Sequence, residues 1–263
     1  MSSNKIAVIG GITADMEGHP YQRLIYGDSN PGKIVVSYGG VGRNITENLG
    51  HMGTSVSFYS VAGDDFLGRG AVRELADLGI DVSGIQLLPD KTTAVYISIL
   101  DLVGDLELAL CNMDALEGIT TDFIDQVADS AKEAKIIALD TNLTAETLAY
   151  AVERFKGKPL FLDPVSAAKA ERAKAIIGGF HTIKPNRLEA GVYYKDKQVS
   201  GIMKPFIDPS KCASATGAGD AFSAAILYSF INDFDTTKIA CYGMAAATIA
   251  MESESSVNPL MSP

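Results

Sequence analysis

The sequence has no tryptophan, only three cysteines and three histidines, and 22 basic residues against 32 acidic ones, a formal net charge of −10 at pH 7. Each shortage excludes a class of protein. Cys111, Cys212 and Cys241 are odd in number and far apart, so they suit neither a disulfide framework nor a metal knuckle, and reduced thiols are expected. The acidic balance argues against a nucleic-acid partner, because a phosphate backbone is bound by clustered Lys and Arg. No apolar run approaches the roughly 20 residues of a membrane span. Met1-Ser2-Ser3-Asn4-Lys5 runs directly into strand-like sequence instead of a signal peptide, so a cytoplasmic protein without a membrane partner is expected. What is present is core material: 47% of the 263 residues are hydrophobic and 21% charged, enough for one large domain or two small ones.

The rest of the chain is organised around Ala213-Ser214-Ala215-Thr216-Gly217-Ala218-Gly219-Asp220-Ala221-Phe222. Gly217 and Gly219 admit backbone angles closed to other residues, and the apolar periodicity of Ala221, Phe222, Ala225, Ile226 and Phe230 predicts a helix starting there. Free N–H groups at a helix N-terminus, aided by the macrodipole, receive an anion such as a phosphoryl group, and Asp220 falls where that anion would arrive. Ordinary capping by Thr216 or Asp220 is the alternative, although a cap has no need of two glycines.

Two other glycine segments imitate known motifs and fail. Gly27-Asp28-Ser29-Asn30-Pro31-Gly32-Lys33 satisfies G-x-x-x-x-G-K, but Ile34 stands where a P-loop needs Ser or Thr, and Ile34 to Tyr38 is β-branched strand material instead of a helix. Gly39-Gly40-Val41-Gly42-Arg43-Asn44 precedes a helical stretch through Leu49 but has Ile45 at the third dinucleotide-binding glycine.

Along the chain, Lys5 to Gly11 reads as a buried parallel strand opening onto a ligand-facing loop that contains Asp15. Ser55 to Ser60 is a strand, followed by a Gly63–Gly68 turn and a helix to about Leu78. Thr92 to Leu100 and Leu106 to Cys111 alternate around a Val103-Gly104-Asp105 turn and, with Ile34 to Tyr38, predict a small antiparallel sheet. Then come strand Lys135 to Asp140, helix Ala145 to Phe155, strand Pro159 to Asp163, helix Ala167 to Ile177 and strand His181 to Lys184, the alternation of a parallel, doubly wound sheet. Asp140, Asp163 and Lys184 end their strands on the ligand-facing rim. Thr236 to Met251 predicts a last helix, whose Ala245-Ala246-Ala247 suits close packing.

Thr216-Gly217-Ala218-Gly219-Asp220-Ala221-Phe222 resembles the C-terminal signature of the ribokinase-like (PfkB) family of carbohydrate and nucleoside kinases. Gly11 to Asp15, Gly39-Gly40 with Asn44, Gly63 to Gly68, and Asn186-Arg187-Leu188-Glu189 are similar to further family motifs. The resemblance implies an α/β fold, a three-layer doubly wound and mostly parallel sheet with a small β lid. It implies a single domain over 1–263, with lid strands from about 12–38 and 92–112. It also implies ATP and Mg²⁺, a monovalent cation, and a homodimer through the lid. Asp220 would be the catalytic base in a catalytic loop with Gly217, Ala218 and Gly219, and the amides of Ala218, Gly219 and Asp220 would stabilise the charge on the transferring group. Asp15, Gly39, Gly40 and Asn44 would hold the sugar. Thr216, Gly217, Gly219, Asn186 and Glu189 would serve the nucleotide, Asn186 and Glu189 reaching Mg²⁺ through water.

Three segments resemble more narrowly the branch of the family that phosphorylates the 5′-hydroxyl of the C-nucleoside pseudouridine: Asp28 to Lys33, Gly39 to Asn44, and Asp163-Pro164-Val165-Ser166-Ala167 with Lys169. That likeness implies base contacts by Ser29 and Asn30 and further contacts by Asn112 and Lys169. Another nucleoside or sugar kinase shares the same catalytic residues. A non-catalytic nucleoside binder is disfavoured by the intact Gly217-Ala218-Gly219-Asp220. After Ala190 the family pattern has about one more helix and strand before a Gly-Val like Gly191-Val192. Either a unit of the sheet is lost or the chain is interrupted between 190 and 191; the interruption is expected, since losing a core strand would expose apolar surface.

Overall fold

The protein is seen in a computed structural model that describes residues 4–193 and 212–263. Its frame is a six-stranded parallel sheet of β1 (Ile6–Ile9), β4 (Val56–Gly63), β5 (Asp81–Leu88), β8 (Ile136–Asp140), β9 (Leu160–Asp163) and β10 (Thr182–Ile183), in the order β10-β9-β8-β1-β4-β5. β1 is central and entirely buried because its side chains alternate into two cores. Ile6 and Val8 face one core, with Ile45 and Leu49 of α1 (Val41–His51), Leu75 of α2 (Phe66–Asp77) and Ala224, Leu227 and Ile231 of α7 (Ala218–Ile231). Ala7 and Ile9 face the other, with Phe123, Ile124 and Val127 of α3 (Thr121–Ala131) and Leu148 and Ala151 of α4 (Ala145–Arg154). The three layers follow from that alternation. α8 (Thr236–Met251) lies outside, packing Ala246 and Ala250 on Ala221 and Ala225 of α7, where small side chains allow close approach.

The lid is a second sheet of β2 (Thr13–Pro20), β3 (Gly32–Gly39), β6 (Val95–Leu100) and β7 (Leu106–Asn112), ordered β3-β2-β6-β7. It is mixed, not antiparallel as expected: β2 pairs antiparallel with β3 and β6 with β7, but β2 runs parallel to β6. β2 also absorbs Asp15, expected in a loop, because pairing with Ser37 draws the chain into extended form.

One further expectation is corrected. The helix foreseen over Ala167 to Ile177 is a short α5 (Ala167–Ala170) continued by a 3-10 segment, Glu171–Gly179. Ala190 and Gly191, between which the sequence suggests an interruption, both lie in α6 (Arg187–Tyr193).

Candidate active site

The C-terminal ends of β1, β8, β9 and β10 and the start of β2 deliver most of the polar residues singled out in the sequence to one rim, where the N-termini of α1 and α7 meet. Both helices begin at a glycine with positive φ, Gly40 at 96° and Gly217 at 78°, and neither start carries a side-chain cap. A Cβ on Gly217 would strike the carbonyl of Ser256, and one on Gly40 the carbonyl of Gly11, so glycine is required at both for space as well as angle. The capping alternative for the α7 loop is therefore not realised. The Ala218 amide turns to the Ala215 carbonyl at 3.4 Å, while those of Gly219 and Asp220 have no partner among the described residues.

Asp220 is buried in the first turn of α7, and its Oδ2 accepts a 2.8 Å hydrogen bond from Asn44 Nδ2 of α1. The other amide atom, Asn44 Oδ1, is buried with no partner among the described residues. A buried acceptor left open beside a carboxylate suits a hydroxyl donor from a ligand. Burial and the neighbouring Asp163 push the Asp220 carboxyl up to about 7, with Asp140 adding to the rise and Asn44 and Lys184 opposing it. It is thus poised near neutrality, as a general base needs to be.

Asp163 and Lys184 complete this cluster. Asp163 Oδ2 accepts from Ser223 Oγ at 2.7 Å and pairs with Lys184 Nζ at 3.0 Å; the same ammonium reaches the Gly219 carbonyl at 3.3 Å. Desolvation alone would lower the Lys184 pKa, but Asp163, Asp220 and Glu189 outweigh it and hold the ammonium above its ordinary value. Just past Asp163, Val165 takes a positive φ of 61°, an outlying conformation for a β-branched residue. The strand-end position of Asp163 and Lys184 is the signal by which sequence could have assigned them to the site.

On the lid side, Asp15 Oδ1 accepts from Thr13 Oγ1 at 3.1 Å, and its carboxyl lies over Gly39, where a Cβ would collide with it. Burial raises the Asp15 pKa; Thr13 and Arg43 hold it back. Lys169 Nζ donates to Asn142 Oδ1 at 2.6 Å and thus faces the same rim, its pKa lowered by burial against the pull of Asp140.

Ser29, Asn30 and Asn112 are not brought to this rim. Asn30 sits in the loop at the far tip of the β2–β3 hairpin, beyond Pro20, and the five steps of strand from Asp15 to Pro20 span roughly 17 Å. The Asn30 side chain is engaged locally, accepting from Ile25 N at 2.7 Å and donating to the carbonyls of Ile25 and Asp28 at 3.0 Å. It lines a cavity of about 340 Å³ with Leu24, Ile25, Tyr26, Ile99 and Leu108. Ser29, its neighbour, is exposed in the same loop. Asn112 shares a cross-strand row with Val95, Ala14 and Tyr38, one residue out of phase with Asp15, so the pleat sends it to the other face of the lid. Asn186 and Glu189 form a reciprocal capping box. Asn186 Oδ1 accepts from the amides of Leu188 and Glu189 at 2.9 and 3.0 Å, and the Glu189 carboxylate accepts from Asn186 N and Nδ2 at 2.8 and 2.6 Å. Thr216 is exposed, its amide turned to Ser214 Oγ at 3.1 Å.

The sequence profile of the pfkB family carbohydrate kinases matches residues 3–197 and 189–262. The chain belongs to this family. The two matched stretches overlap around α6, where the family pattern breaks in the sequence. Among pfkB relatives, the pseudouridine kinase of Escherichia coli (strain K12) is 30% identical, covering 98% of this chain and 93% of that protein. The alignment runs over 294 residues, longer than the 263 residues of the chain, so the relative carries residues with no counterpart here. The guanosine-inosine kinase of Exiguobacterium acetylicum is 25% identical, with 98% of each covered. A carbohydrate kinase structure from Agrobacterium tumefaciens superposes with a TM-score of 0.85 at 25% identity, covering 97% of this chain and 92% of that one. Arabidopsis thaliana ribokinase, complexed with ribose and ATP, superposes with a TM-score of 0.78 at 15% identity, covering 99% and 96%, a likeness of fold. Membership makes the protein a phosphotransferase and implies ATP as donor with Mg²⁺. No described helix is long and apolar enough to cross a membrane.

Proposed function

We propose that this pfkB kinase transfers the γ-phosphoryl group of ATP to the 5′-hydroxyl of pseudouridine, giving pseudouridine 5′-phosphate. The observation that carries the chemistry is Asp220 bonded to Asn44, with Asn44 Oδ1 left for a hydroxyl and the open first-turn amides of α7 beside them. Asp220 accepts the hydroxyl proton as that oxygen attacks phosphorus, and the amides of Gly219 and Asp220 receive the charge on the transferring group. Lys184 lends positive charge at the Gly219 edge of that cradle. Asp15, Gly39, Gly40 and Asn44 hold the ribose, and Lys169 faces the base. The choice of pseudouridine is supported by the identity to the Escherichia coli enzyme.

Among the described residues no group of three or more His, Cys, Asp or Glu side chains could hold a metal ion. Both Glu189 oxygens are already bonded to Asn186. This donor set fits Mg²⁺ carried mainly by nucleotide phosphates and water, with Glu189 and Asn186 in its outer shell. When bound, the ion neutralises charge between the phosphates.

A second reading, a kinase for another nucleoside, is favoured by the local engagement of Asn30 and by the guanosine-inosine kinase relative. Release of ADP measured with pseudouridine, uridine, guanosine, inosine and ribose decides between them: pseudouridine should give the highest kcat/KM, and a tenfold advantage for any other acceptor rejects the first reading.

A homodimer through the lid is part of the same proposal. Rows Ile34-Gly18-Ile99-Leu108 and Val36-Met16-Ile97-Leu110 lie on one face of the lid, with Ile34, Leu108 and Leu110 each more than 60% exposed. A second copy would cover that apolar face. Light scattering should return twice the mass of the 27.8 kDa chain.

A further inference from the structure

Asp140 has no part in the chemistry above, yet it is the most heavily bonded carboxylate of the rim. It ends β8, next to the central strand, and is 1% exposed. Oδ2 accepts from Gly11 N at 3.0 Å, Gly42 N at 2.8 Å and Asn142 Nδ2 at 3.1 Å; Oδ1 accepts from Asn142 N at 2.8 Å. All four partners are N–H donors, an arrangement that favours the carboxylate. Burial raises the Asp140 pKa, and the amides of Gly11 and Asn142 pull against that rise. Glycine leaves the room: a Cβ on Gly42 would come within 3.1 Å of Oδ2, and one on Gly10 closer still.

The donors come from segments far apart in sequence. Gly11 opens the passage to Asp15, while Gly42 lies two residues before Asn44 in the first turn of α1. Asn142 anchors Lys169. The two segments also meet directly, Arg43 N donating to the Gly11 carbonyl at 3.2 Å. One buried carboxylate therefore sets the spacing between the strand that presents Asp15, the helix that presents Asn44 and the residue that holds Lys169.

We propose that Asp140 is a positioning residue for the phosphoryl acceptor, latching the Gly11 and Gly42 segments so that Asp15, Asn44 and Lys169 face one substrate. The proposal rests on the reading of this rim as the acceptor site. It separates Asp140 from Asp220: Asp220 acts on the reacting hydroxyl, whereas Asp140 acts only through backbone amides and Asn142. It also predicts an asymmetry between substrates, because the latched segments lie on the acceptor side and α7 lies on the phosphoryl side.

The test compares Asp140→Asn and Asn142→Ala with the wild-type protein in steady-state kinetics, thermal unfolding and amide hydrogen exchange of peptides containing Gly11 and Gly42. Asp140→Asn keeps the shape but removes the charge and sets an amide NH₂ against N–H donors. It should raise the acceptor KM about tenfold or more while leaving the ATP KM within about twofold. Exchange at Gly11 and Gly42 should accelerate. Asp220 is faced by Asp140, Asp163, Lys184 and Asn44, so losing the Asp140 charge should also move the acid limb of the pH profile downward. Asn142→Ala keeps the backbone N–H and should raise the acceptor KM several-fold in the same direction, which preserves the test if Asp140→Asn does not fold. An unchanged acceptor KM in either folded variant, or equal losses for ATP and acceptor that track a lowered Tm, overturns the proposal. If no acceptor is phosphorylated by the wild type, the functional reading fails. Exchange then decides the latch alone, with unaltered protection of Gly11 and Gly42 in the variants overturning it.

Discussion

The helices of this protein start in two different ways. α2, α3, α4 and α8 begin with Asp65, Thr120, Thr144 and Asp235, whose side chains accept from the amides of Gly68, Phe123, Thr147 and Lys238. α1 and α7 begin with Gly40 and Gly217 and have no such bond. With glycine at the cap position, the missing side-chain bond forgoes roughly a few tenths of a kcal/mol at each helix. The capped starts spend their amides on the fold, and so does α1, whose Gly42 and Arg43 amides bond Asp140 and the Gly11 carbonyl; at α7 the first-turn amides of Gly219 and Asp220 are left for a ligand. The capped helix ends thus serve stability, and the start of α7 serves function.

Removing the carboxylate from between the two uncapped starts should have the largest effect. Asp220→Asn is expected to lower kcat by ~10²–10⁴ while acceptor binding stays within a few-fold. Retention of more than about a tenth of wild-type kcat would remove the base role. Because the carboxyl is raised to about 7 and must be ionised to accept a proton, wild-type kcat/KM should fall as pH drops below about 7 and level off above it.

Gly217→Ala comes next. It forces a side chain into a left-handed conformation and against the Ser256 carbonyl, so kcat/KM should fall at least about tenfold with a loss of Tm. Thr144→Ala is its counterpart at a capped start: about 1 kcal/mol of stability should be lost in denaturant titration, with kcat within twofold. If the two variants behaved alike, the division between helix ends would not hold.

The smallest effect is expected for Asn30→Ala at the lid tip. Its bonds close its own loop, so the kcat/KM ratio of pseudouridine to a second nucleoside should stay within about twofold. A fall of tenfold would show that the tip does reach the base.

The sheet was legible because β1, β8 and β9 are short apolar runs ending at glycine or an acid, and burial on both faces leaves no other reading for them. α7 and α8 were legible from periodicity and composition. β5 was not singled out, since its half-buried Asp81 to Leu88 mixes polar and apolar residues at an edge of the sheet. The parallel β2–β6 pairing escaped because register between distant strands is decided by contacts, not by local pattern. At the site, Asp220 and the glycines of the α7 loop could be singled out from the residues themselves and Asn44 only through the resemblance, whereas the use of Asn186 and Glu189 as a capping box is visible only when both side chains are placed. Asp140, Asp163 and Lys184 could be put on the rim but given no role, because a strand end predicts position and the role comes from partners on other segments.

Lys184 has one more consequence. It pairs with Asp163 and, with Asn44, opposes the rise of the Asp220 pKa. A polyanion entering alone would push that pKa higher and favour the protonated acid, which cannot accept a proton. A triphosphate that brings its own counter-ion avoids that push. Nucleotide and cation then enter as thermodynamically linked ligands, each raising the apparent affinity for the other by the same factor.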